Sequence, residues 1–442
     1  MTVKKTCTVF ILAAIIPLLT GPPCLAMPKA EKIELPNHLR VLVFEDHSIP
    51  GVTMELLVSA GSWRDPPEMK GLANLTAKSV LLGTRSLSFD DINNRLDFMG
   101  ASLDADCSKD FAIIGMQMLK KDIDSGVGLF SDIIAHPSFP AADVDGQKDD
   151  IVGSLRAKED DPIEVAARAF DRALFQDSPY ASPVEGTEKS VAAICPEDLS
   201  RFYASYYRPN NSVLVIGGDI TLQEVQKSIV PRLIGWEAAE IPEMPFRKEF
   251  ARGPVNVDIN KPVSQATIMI GCPAMDRASK DYYTFQVMNQ ILGSGDLSSR
   301  LMVEIRIKKG LAYAVESNLA ARKYAGSFRV VIQTKDASAK ESAALAKKEL
   351  ERLRHEPVSD TELQAAKKFL IGNFPLRYSA QLDYAKFLAQ IEFYGLGSDY
   401  PDKFPSLINA VTADDIVRVA KEYLNPNDVT VIVADLKKAQ IE

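Results

Sequence analysis

The chain has 442 residues, 46% hydrophobic and 25% charged, an ordinary globular composition, and its length predicts two to four domains at about 100–200 residues each. The formal net charge is −8, from 51 basic and 59 acidic residues. Because an acidic chain without a basic cluster offers phosphates no electrostatic attraction, the composition excludes nucleic-acid binding.

Residues 1–26 have the pattern of an export signal. Lys4 and Lys5 form a charged start, residues 9–19 an apolar centre, and residues 24–26 an acceptable cleavage site. The apolar run is shorter than the ~20 residues that span a bilayer, and no later run predicts an integral membrane segment. We expect an exported, periplasmic protein; the alternative is an uncleaved signal that anchors the chain. Cleavage would remove two lysines and no acid, so the net charge would fall from −8 to −10.

Three cysteines would remain after cleavage, namely Cys107, Cys195 and Cys272. They lie far apart in the sequence, lack C-x-x-C spacing and are odd in number, so at most one disulfide can form. We expect buried thiols instead.

The alternation of apolar and polar residues predicts an α+β structure in each half of the chain. In the first half the pattern predicts strands at 40–45 and 52–59, helices at 70–82 and 90–98, a hairpin at 101–119 turning at 108–110, helices at 122–135, 141–159, 163–175 and 196–207, and a strand at 212–217. In the second half it predicts a strand at 265–272, helices at 280–292 and 297–309, strands at 312–319 and 326–334, helices at 338–353, 360–372 and 380–393, and a closing helix and strand.

The last helix and strand of each half form a long internal repeat. Glu197-Asp198 leads to Pro209-Asn210 and an apolar run, and Asp414-Asp415 leads to Pro426-Asn427 and a similar run, 217 residues later. This spacing is about half of the chain, whereas solenoid repeats are ~20–50 residues long, so it predicts a duplicated domain. We place the domains at 27–235 and 251–442, joined by a proline-containing linker at 236–250.

Common catalytic motifs are missing from the sequence. Its four histidines, His38, His47, His136 and His355, include no pair four residues apart, which excludes H-E-x-x-H and H-x-x-E-H zinc motifs. There is also no G-x-S-x-G elbow, phosphate loop or G-x-G-x-x-G. Residue chemistry alone therefore predicts no self-sufficient active site.

Three blocks of sequence carry a family resemblance. They are Ser299-Arg300-Leu301 with Glu304 to Tyr313; Ser178-Pro179-Tyr180 with Gly186-Thr187 and Tyr207-Arg208-Pro209-Asn210; and Gly61-Ser62-Trp63-Arg64-Asp65 with Gly71-Leu72-Ala73. Together they resemble the pitrilysin/insulinase metallopeptidases, and the similarity extends over nearly the whole chain after the signal. The resemblance implies an α+β half-clamshell of two homologous domains, each with an antiparallel-rich sheet and helices packed on one side.

The family's zinc motif is degenerate in this chain. On the alignment, Asn74 and Lys78 replace the two histidine ligands, Ala77 replaces the general-base glutamate, and Ser154 replaces the third ligand, with Gln147 in place of a nearby acid. A lysine ammonium at a ligand position would also repel a dication. The resemblance therefore implies no metal in this chain and no hydrolysis by the chain alone.

Arg306 and Tyr313 match the pair that the family's second half brings to the active site. The resemblance implies that Tyr313 donates to the scissile carbonyl as it becomes an oxyanion, and that Arg306 hydrogen-bonds the substrate main chain. The alternative is structural: Arg306 favours the C-terminus of a helix and Tyr313 packs on a strand.

Two hypotheses of function follow. In the first, the chain is the zinc-less subunit of a heterodimeric peptidase: a family partner carries H-x-x-E-H and zinc, the two close around a peptide substrate, and a weaker homodimer forms without the partner. In the second, the chain is a pseudo-peptidase scaffold or assembly protein without a role in proteolysis.

Overall fold

The computed structural model describes residues 28–424 and 428–435. The expected export signal at 1–26 lies outside these described residues. Within them, no helix combines the length and the apolar character needed to cross a bilayer.

Both halves alternate strands and helices. The first half forms β1 (Ala30–Glu34), β2 (Arg40–Glu45), β3 (Gly51–Val58), α1 (Leu72–Ser79), α2 (Phe89–Met99), β4 (Ser102–Cys107), β5 (Ala112–Leu119), α3 (Ile123–Ala135), α4 (Ala141–Asp160), α5 (Pro162–Phe175), α6 (Glu188–Ala193), α7 (Pro196–Tyr206), β6 (Ser212–Gly218), α8 (Leu222–Glu224) and α9 (Val230–Leu233). The second half forms β7 (Val255–Asn260), β8 (Ala266–Ala274), α10 (Tyr282–Asn289), β9 (Ala312–Ala321), β10 (Gly326–Thr334), α11 (Ala339–His355), α12 (Asp360–Asn373), α13 (Gln381–Phe393), α14 (Tyr400–Asn409), α15 (Ala413–Tyr423) and β11 (Val429–Ala434).

The strands form two sheets with the same internal pairing. The first sheet has the order β1-β2-β6-β3-β5-β4 and the second β7-β11-β8-β10-β9. In both, the strand from the sequence repeat, β6 or β11, runs parallel to one neighbour and antiparallel to the other. The hairpins β4–β5 and β9–β10 form corresponding edges. The predicted α+β fold class is confirmed, and only β1 lacks a counterpart among the described strands.

The two halves exchange a helix. Helix α13 of the second half packs on β3 and β6 of the first sheet, and α5 of the first half packs on β8 and β11 of the second. Phe387 of α13 joins Phe44 and Val215 in one buried cluster, and Phe170 of α5 joins Val431 in another. The opposite face of the first sheet carries its own helices α1, α3 and α7. One face of each sheet is thus covered by a helix that belongs to the other half of the chain.

The structure differs from the predicted elements at a few places. The helix predicted at 70–82 is shorter because Gly71 takes a left-handed φ of 94° before α1, where an added Cβ would lie 2.4 Å from the carbonyl oxygen of Glu185. The segment predicted as a helix at 297–309 contains a π-helix at Met302–Lys308. Strands β1 and β7 were not predicted, since both are short and at least half polar. Helices α6, α8, α9 and α14 were also not predicted, since the first three have six residues or fewer and α14 contains prolines.

The three cysteines within the described residues are free thiols. Cys107 and Cys272 are buried and Cys195 is half-buried. Burial raises the pKa of the Cys272 thiol to about 12, so it stays protonated near neutral pH.

Candidate functional site

Helix α1, which carries the degenerate zinc motif, keeps a well-formed N-terminus. The Asp65 carboxylate accepts hydrogen bonds from the N–H groups of Gly71 and Ala73, each at 2.8 Å. Burial raises the pKa of Asp65 to about 7, although the two helix N–H groups lower it. Asp65 therefore fixes the first turn of the helix on which Asn74, Ala77 and Lys78 lie.

The side chains on this scaffold do not fit a zinc ion. Asn74 is 2% exposed, and within the described residues its Nδ2 atom has no hydrogen-bond partner; Ala77 is fully buried. Lys78 is half-buried, while Ser154 is exposed on α4, which packs beside α1. Zinc sites use thiolates, imidazoles and carboxylates, and none of these four residues supplies one. Nowhere in residues 28–424 and 428–435 do three or more His, Cys, Asp or Glu side chains gather closely enough to hold a metal.

Arg306 and Tyr313 lie on either side of one turn in the second half. Arg306 projects from the π-helix and is exposed, and the one side-chain hydrogen bond that it forms within the described residues runs from Nη1 to Met302 Sδ at 3.9 Å. It has no ion pair within 4.0 Å among the described residues. Gly310, with φ of 65°, ends the helical segment, and Tyr313 follows in β9, where its side chain is 51% exposed. Both polar ends are therefore accessible to a molecule outside the chain.

The π-helix is anchored at its start. Leu301 and Ile305 are fully buried, and Arg300 forms a two-point ion pair with Glu362 of α12. Lys308 pairs with Glu304 one turn earlier. The segment is thus fixed to the body of the second half while Arg306 points outward.

The repeat shows that this pair belongs to the second half alone. Helix α2 of the first half ends at Gly100, whose φ of 60° matches that of Gly310, and β4 follows. The residues four before and three after Gly310 are Arg306 and Tyr313, and the residues at the same distances from Gly100 are Leu96 and Leu103. Leucine side chains offer no hydrogen-bond donor.

A buried polar network joins the tips of the two long hairpins, which the sequence predicted only as a turn at 108–110. The Asp110 carboxylate accepts hydrogen bonds from the Tyr180 hydroxyl, from the Tyr394 hydroxyl at 3.0 Å, and from the Lys323 backbone N–H at 2.8 Å. Lys109 Nζ donates to the carbonyl of Tyr180 at 2.9 Å, and burial lowers the pKa of Lys109 to about 8. The one sequence feature that could have pointed to this network is Tyr180, because it lies in a block that carries the family resemblance.

Comparison with known proteins gives consistent matches over most of the chain. Residues 40–188 match the family described as Insulinase (Peptidase family M16), and residues 193–370 match the Peptidase M16 inactive domain. The chain is 27% identical over 399 residues to the "Non-peptidase homolog YmxG" of Helicobacter pylori, covering 90% of this chain and 92% of that protein. It is 24% identical over 412 residues to an uncharacterized zinc protease of Streptomyces coelicolor, covering 92% and 90%.

A solved structure shows the same fold. The peptidase M16 inactive domain from Pseudomonas fluorescens superposes with a TM-score of 0.83 at 24% sequence identity, covering 92% of this chain and 98% of that one. The arrangement of two sheets described above is therefore shared with that protein.

Proposed function

Because this chain belongs to the insulinase (M16) peptidase family as an inactive-type member, we propose that it is the zinc-less subunit of a two-chain peptidase. The observation that carries the proposal is an asymmetry between the halves. The first half holds Asn74, Ala77 and Lys78 where metal ligands and a base would be required, whereas Arg306 and Tyr313 of the second half are exposed, and Arg306 forms no ion pair among the described residues.

Electrostatics argues against a metal in this chain. A unit positive charge about 4 Å from a dication is repelled by about 8 kcal/mol at an effective dielectric constant of about 20. The Lys78 ammonium would impose such a repulsion on an ion held beside α1. Zinc would therefore come from a partner that carries H-x-x-E-H.

Arg306 and Tyr313 supply hydrogen-bond donors that the partner's zinc site would use. A substrate carbonyl gains negative charge on its oxygen in the transition state of hydrolysis, and the Tyr313 hydroxyl is a donor suited to that oxygen. The Arg306 guanidinium has several N–H donors for main-chain carbonyls of an extended peptide. The chain would thus bind and orient a peptide that its partner cleaves.

The second candidate function is a scaffold without a role in proteolysis. The observation that favours it is the name of the Helicobacter pylori relative, a non-peptidase homolog. The Streptomyces coelicolor relative is called a zinc protease, so the names of relatives support both candidates. The periplasm is the proposed location, on the pattern of residues 1–26.

One experiment separates the two candidates. The purified chain is analysed for zinc, mixed with a zinc-bearing family member from the same organism, and tested on a quenched-fluorescent peptide library. We expect no stoichiometric zinc and no cleavage from the chain alone, a 1:1 complex by light scattering, and turnover well above that of the partner alone. Chelator-sensitive cleavage by the chain alone, or a mixture no more active than the partner, would reject the proposal.

A further inference from the structure

The outer edge of the second sheet is open where the corresponding edge of the first sheet is covered. Strands β2 and β7 occupy the same position, each running parallel to the repeated strand β6 or β11. On its other side, β2 pairs with the antiparallel strand β1, from Ala30 opposite Phe44 to Glu34 opposite Arg40. Among the described residues, no strand pairs with the other side of β7.

The backbone of β7 has hydrogen-bonding groups directed at this open edge. The N–H groups of Val255 and Lys261 donate to β11 and its flanks, at 3.1 Å to Asp428 and 3.0 Å to Ala434. A parallel strand alternates the side to which successive residues bond, with a period of two. The N–H and C=O groups of Asn256 and Asp258 therefore point away from β11.

A groove runs between this edge and the exchanged helix α5. It is open to solvent and has a volume of about 640 Å³, and its apolar wall includes Val165, Ala169, Val255 and Val257. The two β7 valines are only partly buried. A strand added to β7 would direct alternate side chains into this groove.

The groove also carries an excess of positive charge, because its charged lining residues are Arg168, Arg172 and Glu159, two guanidiniums against one carboxylate. Arg168 pairs with Glu159 at 2.7 Å, yet its Nη2 atom is buried and has no hydrogen-bond partner in the described part of the chain. Arg172 lines the same groove and forms no ion pair within 4.0 Å among the described residues.

The first half shows how a covering strand meets an exchanged helix. There, Lys32 of β1 forms a 2.7 Å ion pair with Glu392 of α13. At β7 the exchanged helix α5 presents arginines, so the charges are reversed and a covering strand would need a carboxylate. We propose that the outer edge of β7 binds an extended acidic peptide as an additional antiparallel strand.

This site is separate from Arg306 and Tyr313. Tyr313 lies in β9, at the opposite edge of the same sheet, with β11, β8 and β10 between. At about 4.8 Å per strand, the two edges are about 19 Å apart. The inference therefore stands or falls independently of the proposed peptidase role.

The test uses the full chain and a fluorescein-labelled seven-residue peptide of alternating valine and glutamate. A matched peptide with lysine for glutamate tests the charge, and a glutamate peptide N-methylated at alternate residues tests strand pairing. We expect the glutamate peptide to bind at least ten times more tightly than either control by fluorescence anisotropy. Equal binding of the glutamate and lysine peptides, or unimpaired binding of the N-methylated peptide, would overturn the proposal.

Variants locate the binding. Arg172→Glu is expected to lower the affinity for the glutamate peptide at least tenfold and to raise the affinity for the lysine peptide. Asn256→Pro removes an outward N–H while leaving the bonds to β11 in place, as edge strands tolerate, and is expected to weaken binding about tenfold.

Asn256→Ala keeps the N–H and serves as the matched control, and circular dichroism checks that each variant is folded. Unchanged affinity in both Arg172→Glu and Asn256→Pro would refute this location. Binding that appears only in a chain truncated after Asp435 would refute it too, in favour of an intramolecular occupant.

Discussion

Arg300 and Glu362 form a two-point ion pair, with Nε 2.7 Å from Oε1 and Nη2 3.1 Å from Oε2. The pair connects the base of the Arg306 segment to α12. It lowers the pKa of the Glu362 carboxyl to about 2. A carboxyl with a depressed pKa stabilises the fold above about pH 4.5, and this contribution is lost as the pH falls toward 2.

Replacing Glu362 by glutamine should therefore destabilise the protein at neutral pH. Glutamine keeps an oxygen for the Ser359 capping box, so the change removes mainly the ion pair. Because the carboxylate is one-third exposed, solvent screening reduces the loss to about 1–2 kcal/mol at pH 7. Urea titrations at pH 7 and pH 3 measure it, with Glu304→Gln in the one-point Glu304–Lys308 pair, whose lysine is exposed, as control. An equal loss at both pH values would contradict the assignment.

Tyr313→Phe tests the oxyanion role. Losing a donor used only in the transition state should lower kcat of the reconstituted pair roughly 10²–10³-fold with little change in KM. Tyr206→Phe on α7, a half-buried tyrosine of the first half, controls for the loss of a hydroxyl elsewhere and should leave kcat unchanged. Light scattering should show the same complex with each variant, since Tyr313 is exposed. A Tyr313→Phe complex with wild-type kcat would favour the scaffold candidate.

Arg306→Ala tests peptide binding. A hydrogen bond to the substrate main chain exists before the transition state as well as in it, so we expect KM to rise about tenfold and kcat to fall. Lys308→Ala removes a neighbouring exposed positive charge, and so it controls for the effect of net charge on peptide binding. Steady-state kinetics of the wild type and both variants on one peptide gives kcat and KM for each. If both variants change KM equally, the effect is one of overall charge rather than of a specific contact.

Glu55 on β3 should make stability depend on pH. It is fully buried beneath α13, neither carboxyl oxygen has a hydrogen-bond partner within the described residues, and burial raises its pKa to about 8. Lys386 of α13 lowers this pKa and Asp104 of β4 raises it; Asp104 approaches across Gly115. The folded protein then holds a proton that the unfolded chain loses above about pH 4.5. Stability should therefore fall as the pH rises toward 8.

The matched variant is Glu55→Gln, which has no titrating group there. Relative to the wild type, it should gain about 2–4 kcal/mol of unfolding free energy between pH 5 and pH 8. Chemical denaturation of both proteins at both pH values gives this difference. The contribution of Asp65 cancels in it, because both proteins contain that residue. Parallel curves for the two proteins would show that Glu55 is ionised in the folded state.

The export prediction has a direct measurement. If residues 1–26 are removed, the intact mass of chain recovered from the periplasm should correspond to residues 27–442. Ala26→Arg should block cleavage and leave the longer chain in the membrane fraction. A wild-type chain of full mass in that fraction would support the anchored alternative.

Local patterns predicted much of the fold. The Pro-Asn sequences after 196–207 and near the C-terminus identified β6 and β11, and the apolar periods located most helices within two residues. Strands β1 and β7 were missed because an edge strand buries little and so carries little hydrophobic pattern. The exchange of α5 and α13 could not be predicted, because an amphipathic helix does not indicate which sheet it will cover.

The candidate site divides in the same way. The correspondence of Asn74, Ala77 and Lys78 to the family's zinc motif follows from alignment, because the matching stretches at 61–65 and 71–73 fix the register. The exposure of Tyr313 and the burial of Asp110 depend on the approach of distant segments. The Asp110 network joins residues up to 284 positions apart, a separation at which no local pattern is informative.

The exchanged helices also bear on how such a chain arose. A single ancestral half, folded alone, would have left one face of its sheet without a cover. Two copies could each have covered the other's sheet by trading one helix, the geometry of a domain-swapped homodimer. Fusion through a short connecting segment would then have turned a concentration-dependent association into a permanent one. The two copies became free to diverge, and the first now has leucines at 96 and 103 where the second has Arg306 and Tyr313.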